Sequence, residues 1–450
     1  AEYRLKCMTL PLSRESLISL NWKLDAEGYM SYYDPGEKRM TGTAEHPFRT
    51  DFLQKNGVIQ DCYITLPQEV PIGTYELEEI TAPEGYVVNG SEQSVQDSST
   101  DRVNGYEVLD TPFPEVIFTI NNGSVYPDGQ MGTNKYALID AYGNLTMTVL
   151  QENQEQKGVV EITKHGEQLS GAHEDSETLL DKLKEEPFRE IKKAPESSRR
   201  DLVFEYEDAP VEGAEFEIIA AEDIYTQEVL KDLFGSYSVN PETYLVYKKG
   251  DVAAKITTDR NGWGYASGLY IGKYKIVETT AGDGFVLNTK ETEFEISAKK
   301  QTVNFDFHTV DYKNERQKLE VATEKRDQDS GRPLAKAVYG LYAGEDITTN
   351  ILFDEDTGKW IVRDAPEVLY SADTLIATCV TDQNGKGIFD EDLPLGKYYI
   401  RELEAPRGYL TALRDISVNG RYDSVRGGQD VEKQEYQAAF QNRKTQLIVT

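Results

Sequence analysis

Three glutamates in this chain fall where a charge is costly. Gly73, Tyr75, Leu77 and Glu79 recur as Gly272, Tyr274, Ile276 and Glu278, and again as Gly396, Tyr398, Ile400 and Glu402. In a strand the side chains alternate, so each glutamate shares a face with a tyrosine and an aliphatic residue. Two lysines are misplaced in the same way. Lys164 follows Val160 and Ile162, and Lys325 follows Leu319, Val321 and Thr323. Two asparagines complete the pattern: Asn314 after Val310 and Tyr312, and Asn442 after Tyr436, Ala438 and Phe440. A lysine attacks only when neutral, and burial lowers its pKa. A buried carboxyl tends to keep its proton for the same reason, and can then polarise a carbonyl and shuttle protons. Taken singly, each residue has a plainer reading: the lysine snorkels outward, the glutamate pairs with it, the asparagine closes a turn. The full set, twice and at matching places, asks for more.

The elements that must position these residues are strands. Ala1-Glu2-Tyr3-Arg4-Leu5 matches Ala214-Glu215-Phe216-Glu217-Ile218 and, more loosely, Ala337-Val338-Tyr339-Gly340-Leu341. In the later copies this is a second strand, preceded by Val159–Lys164 and Leu319–Lys325. The first copy enters at its second strand, so the chain reads as a fragment of something longer. Next comes a hairpin signal: Thr50-Asp51 before Asn56-Gly57, Thr258-Asp259 before Asn261-Gly262, and Thr381-Asp382 before Asn384-Gly385. Asn-Gly favours the turns that join antiparallel strands. The glutamate strand follows, and an alternating strand ending in asparagine closes each later unit. Asn314 lies 11 positions before Lys325, and Asn153 lies 11 before Lys164, so the joints repeat and are too short for flexible linkers.

This organisation predicts three units near residues 1–157, 158–316 and 317–444, in an elongated end-to-end array. A next unit would start at 445–450, where Thr445, Leu447 and Val449 alternate. Many short strands, turn punctuation and little amphipathic helix argue for an all-β fold of antiparallel immunoglobulin-like sandwiches. Three stretches break the pattern. Gly166–Arg200 is charged and holds a helix candidate over Ser176–Glu186. Tyr225–Val246 and Thr348–Ser371 are long connections, and residues 87–144 lengthen the first unit. Loops of such length are usually functional or disordered.

Composition limits the partners. The 450 residues carry 48 Lys and Arg against 79 Asp and Glu, a net charge of −31. Such acidity argues against nucleic acid and anionic membrane, and no apolar run is long enough to span a bilayer. Cys7, Cys62 and Cys379 are too few and too uneven for a disulfide framework, although Cys7 and Cys62 could pair.

The combined pattern resembles the collagen-adhesin B-type (CnaB), or SpaA-like, prealbumin-like domain of Gram-positive pilins and adhesins. The motifs that carry the resemblance are the lysine-ending first strand, Gly213-Ala214-Glu215-Phe216, the Thr-Asp hairpin, Leu393-Pro394-Leu395-Gly396-Lys397-Tyr398-Tyr399 with Ala405-Pro406-Arg407-Gly408-Tyr409, and the final asparagine. They cover nearly the whole chain outside the insertions. The resemblance implies an intramolecular isopeptide bond from Lys164 to Asn314 promoted by Glu278, and from Lys325 to Asn442 promoted by Glu402. Proximity in the fold can remove roughly 7–11 kcal/mol of barrier. The second unit departs from the pattern at Ala281-Gly282-Asp283-Gly284, which puts its corner in doubt more than its bond. The first unit has Glu79 without a first-strand lysine. Its asparagine is Asn153 by joint spacing or Asn122 by distance from the glutamate, with the joint favouring Asn153.

The resemblance implies a structural or adhesive stalk at the extracellular, cell-wall-attached surface of a Gram-positive bacterium. The alternative is an adhesin that grips a host or bacterial surface protein or glycan through the first unit or the 166–200 insertion. A third reading is a spacer for an enzyme module outside this fragment. The chain itself is not read as an enzyme beyond self-cross-linking, and no cofactor or metal is expected. His46, His165, His173 and His308 are scattered, and no nucleophile motif, phosphate loop or metal cluster is present. Asp327-Gln328-Asp329-Ser330-Gly331 has the start of a calcium loop without its remaining ligands, so a turn fits better.

Overall fold

A computed structural model describes residues 1–9, 20–55, 58–63, 70, 73–89, 116–121, 124–127, 137–139, 145–147, 153–178, 200–226, 245–298, 301, 305–420 and 433–445. Among them all regular structure is strand. Among the described residues the three largest buried clusters lie one in each unit. One gathers Leu5, Trp22, Met30 and Tyr75, one Ile162, Phe216, Tyr274 and Ile276, and one Val321, Tyr339, Tyr398 and Ile400.

The second and third units share one plan of two facing sheets. In the third, the opening strand Lys318–Asp327 lies between Lys386–Leu393 and the closing strand Lys433–Asn442. The other sheet runs Leu375–Val380, Val338–Ala343, the glutamate strand Lys397–Glu404, then Ile416–Asn419. The second unit repeats this with the opening strand Lys157–Thr178, the closing strand Phe305–Asn314 and the glutamate strand Gly272–Thr280. The first unit keeps the core pairing of Glu2–Thr9 with its glutamate strand Gly73–Thr81. Its Val116–Asn121 and Ser124–Pro127 extend that sheet beyond the glutamate strand.

Three features differ from the sequence reading. Opening and closing strands pair in parallel, in both later units. A chain that starts and ends on neighbouring strands of one sheet, running the same way, can hand directly onward to the next unit. The helix candidate over Ser176–Glu186 is overturned at its start, because residues 176–178 continue the opening strand and Thr178 pairs with Arg200. Cross-strand pairing there overrides a charged, helix-permissive composition; the rest of the candidate lies outside the described residues. Thr348–Ser371 is a long hairpin, Ile347–Asp354 with Lys359–Tyr370, and not an irregular loop. Asn56-Gly57, Asn122, the Cys62 side chain and residues 446–450 also lie outside the description, while Cys7 is a free thiol.

The joints are built three times in the same way. Tyr86 bridges Glu155, Phe285 bridges Arg316, and Tyr409 bridges Lys444. Each bridge carries two backbone hydrogen bonds, such as Val286 N to Glu315 O at 2.9 Å and Gln317 N to Gly284 O at 2.8 Å. Thus the corner after each glutamate strand holds the segment leaving the unit. Gly85, Gly284 and Gly408 have φ of 83°, 85° and 86°, a region that favours glycine. The second unit's departure does not abolish this corner. Gly282 stands where the others have proline, and its φ of 85° is one proline cannot adopt.

Candidate cross-linking sites

A bulge aims each glutamate. The register between second strand and glutamate strand slips at Glu2/Tyr3, at Glu215/Phe216 and at Val338/Tyr339. In each case the next aligned pair puts an aromatic opposite the glutamate: Tyr3 with Glu79, Phe216 with Glu278, and Tyr339 with Glu402. Bulges of this kind re-aim a side chain and recur beside functional sites. All three carboxylates are buried.

A second device pins the lysine. Lys164 N donates to Gly262 O at 2.6 Å, and Lys325 N to Gly385 O at 2.7 Å. Both glycines belong to the Asn-Gly turns and have positive φ, 67° and 77°. A Cβ on Gly262 would lie 2.1 Å from Lys164 O, and one on Gly385 would lie 2.4 Å from Lys325 O. The turn therefore sets the lysine's backbone as well as closing a hairpin. Its threonines add a brace, with Thr258 Oγ1 donating to Val211 O and Thr381 Oγ1 to Leu334 O.

The asparagine arrives from the parallel neighbour. Lys164 is opposite Tyr312 and Lys325 opposite Phe440. Asn314 and Asn442 lie two residues further, on the same face. Lysine, glutamate and asparagine thus converge from three strands in each later unit.

The distances describe a closed set. Lys325 Nζ lies 2.7 Å from Glu402 Oε1 and donates to Asn442 Oδ1. Asn442 Nδ2 donates to Glu402 Oε1 at 2.9 Å and to Oε2 at 3.1 Å. In the second unit Lys164 Nζ is 2.7 Å from Glu278 Oε1. Asn314 Nδ2 donates to Glu278 Oε1 at 3.0 Å and Oε2 at 2.8 Å, while the buried Asn314 Oδ1 accepts no hydrogen bond. A backbone N–H fixes each carboxylate from outside: Asn288 N to Glu278 Oε2 at 2.6 Å and Ala412 N to Glu402 Oε2 at 2.5 Å.

Both lysine side chains are 0% exposed. Aromatic rings wall them, Phe216 and Tyr312 at 5.8 Å from Lys164 Nζ, Tyr339 and Phe440 at 5.7 Å from Lys325 Nζ. Burial pushes both lysines below the ordinary value, against the opposing pull of the neighbouring carboxylate. A buried ion pair is costly to form, and this one sits beside a carboxamide.

In the sequence reading the carboxyl polarises the asparagine carbonyl and shuttles protons. The structure instead turns it toward Nδ2, the nitrogen that would leave. In each later unit one carboxyl therefore touches both the lysine nitrogen and the asparagine side-chain nitrogen. The pinning glycines, the outer backbone N–H and the aromatic walls are features of the site that the sequence reading missed. The repeated Asn-Gly after Thr-Asp is the signal that marks the glycines.

The first unit holds part of the set. Asn153 Nδ2 donates to Glu79 Oε2 at 2.6 Å and Asn89 N to the same oxygen at 2.9 Å. Among the described residues no lysine joins them. Tyr3 faces the site, its hydroxyl pushed up by burial and by the Glu79 charge. The calcium-loop candidate is a turn, with Asp327 Oδ1 accepting from Asp329 N and Ser330 N. No group of three or more possible metal ligands occurs among the described residues.

Residues 205–310 and 319–425 match the SpaA prealbumin-like fold domain. The matched segments contain Glu278, Lys325 and Glu402, and leave Lys164, Asn314 and Asn442 outside. No curated protein matches the chain. Among solved structures, the Bacillus anthracis TIE protein is 17% identical with a TM-score of 0.39, covering 88% of this chain. The chain spans 47% of that protein's length. A streptococcal ancillary pilin is 13% identical over 99% of this chain and 92% of its own, with a TM-score of 0.23. The shaft pilin SpaA of Lactobacillus rhamnosus GG is 15% identical over 65% of this chain and all of its own, with a TM-score of 0.20. With the two family matches and the repeated sandwich plan together, the second and third units are SpaA-like prealbumin-fold domains arranged as tandem repeats.

Proposed function

We propose that this chain is part of a cell-surface stalk or pilus-like shaft of a Gram-positive bacterium, hardened by two self-made amide bonds. The carrying observation is the lysine–glutamate–asparagine set, present twice with the same lysine–glutamate and asparagine–glutamate contacts; in the third unit the lysine also donates to the asparagine carbonyl. In the proposed reaction a proton passes from Lys Nζ to the Glu carboxylate, and the neutral amine attacks Asn Cγ. The Nζ–Cγ bond forms and the Cγ–Nδ2 bond breaks; the carboxyl hands its proton to Nδ2, which leaves as ammonia, and takes up the second Nζ proton, so that the glutamate ends as a neutral acid beside the new amide. The glutamate is not consumed and nothing turns over, so the reaction is a maturation step and not enzymology. The product is neutral, which relieves the cost of the buried charge pair. Unlike a disulfide, it withstands reduction.

The units are proposed to lie near residues 1–157, 158–316 and 317–444 and to run end to end. The backbone bridges at each joint support that arrangement. Partners are proposed to be neighbouring surface components, with a host or bacterial protein or glycan as ligand. Peptide mapping tests the function: after proteolysis, branched peptides should join Lys164 to Asn314 and Lys325 to Asn442. Linear peptides covering both lysines and both asparagines in full yield would reject it.

A further inference from the structure

The two insertions meet each other. The opening strand Lys157–Thr178 continues past Lys164 and pairs with Arg200–Pro210, from His165 opposite Pro210 to Thr178 opposite Arg200. This arm leaves the second unit and lies on the third. Leu202 and Phe204, 4% and 6% exposed, belong to the third unit's core. Polar ties accompany them. Thr378 Oγ1 donates to the buried Asp201 carboxylate at 3.0 Å, Thr349 Oγ1 to Leu169 O at 2.6 Å, and Tyr206 Oη to Asp392 O at 2.8 Å.

The third unit answers with its own hairpin, Ile347–Asp354 and Lys359–Tyr370, which packs against the first arm and reaches back to the second unit. There Arg260 Nη1 donates to Asp364 at 3.0 Å and Nη2 to Arg363 O at 2.6 Å. In the joint between them, the Arg316 guanidinium stacks 3.7 Å from the Tyr206 ring and pairs with Asp392.

The effect shows on equivalent edge strands. Val252–Thr257 of the second unit is an edge that leaves Val252 41% exposed and buries only Ile256. Leu375–Val380 is the matching edge of the third unit, yet four consecutive residues, Ile376 to Cys379, are buried. Alternation fails there because the arm lies along that edge.

We infer that the two insertions form a reciprocal lock that makes the second and third units one mechanical and folding body, the second unit supplying part of the third unit's core. The lock does not depend on the amide bonds. At the preceding joint, described residues provide the backbone bridge, the bond from Thr226 to Glu155 and the contacts of Gln301 with Ala82 and Pro83. No comparable hairpin spans that joint among the described residues.

The test uses the whole chain. Cys379, buried at 6% on the covered edge strand, reports the lock through its rate of thiol labelling. Leu202→Asp with Phe204→Asp should speed labelling by about tenfold or more, as local opening becomes easier. Amide exchange in Gly272–Thr280 should stay unchanged, and one melting transition for the two units should split into two. Phe204→Ala is the milder variant and decides the matter if the double variant perturbs Gly272–Thr280; it should speed labelling several-fold. Unchanged Cys379 labelling and unsplit melting in Phe204→Ala would overturn the lock.

Discussion

The first and third units carry the same glutamate in the same setting. Glu79 and Glu402 both sit beside a bulge, both face an aromatic on the neighbouring strand, and both accept from an asparagine near the end of the unit and from a backbone N–H ten positions on. Only the third unit adds a lysine among the described residues. The comparison teaches that the fold alone sets the glutamate and asparagine. Bulge, corner and joint recur without the nucleophile. The proposed chemistry is therefore a property of one strand, the opening one, and of the turn that pins it.

The largest expected effect comes from making the third unit resemble the first. Lys325→Ala should abolish the third unit's bond. Residues 325 and 442 are 117 apart, so by analogy with a disulfide the loss should be about 4–5 kcal/mol, read by denaturant unfolding. An undiminished stability would mean that the cross-link is unmade in the parent protein.

Next in size is the proton carrier. Glu402→Gln keeps shape and hydrogen bonding but cannot shuttle a proton, and should leave the ammonia of Asn442 in place in the intact mass. Glu79→Gln should leave the mass loss untouched, with a stability change of about 1–2 kcal/mol. A change in cross-linking with Glu79→Gln would break the contrast between the units.

The pinning turn should matter less. Gly385→Ala forces a left-handed residue and a contact with Lys325 O, at about 1–2 kcal/mol of backbone strain. Cross-linking in the third unit should slow, with the second unit as internal control. Equal slowing of both units would argue against local pinning.

The smallest effect is on pH. In Asn442→Ala the lysine stays buried and unlinked, with its pKa held below the ordinary 10.5 by burial. The unfolded chain then binds more protons between the folded and unfolded values, so stability rises with pH through that window. The burial cost is full below the folded pKa and fades toward 10.5. The cross-linked parent should lack this slope, because its Lys325 no longer titrates.

Much of the site was legible because alternation is a strict signal. Glu278, Lys164 and Asn314 could be assigned to apolar faces from spacing alone, and so could their third-unit counterparts. Asn153 was favoured by the joint repeat, and the structure brings it to Glu79. Pairing direction was not legible: nothing in Phe305–Asn314 says that its neighbour runs parallel, since that depends on where the chain enters and leaves the unit. The stretch Gly166–Arg200 reads in the sequence as a charged insertion with a helix candidate, whereas its first residues extend the opening strand to Thr178. Its fold depends on partners far along the chain, Thr349 and Thr378 among them. Gly282 illustrates a third limit. The missing proline suggested a broken corner, but a glycine with positive φ reaches the same bridge by another backbone path.

Intact-protein mass tests the central claim most directly. The parent chain should weigh less than its sequence by two ammonia molecules, with Lys164→Ala and Lys325→Ala each restoring one and the double variant restoring both. A parent mass equal to that of the uncross-linked sequence, in folded protein, would contradict the account.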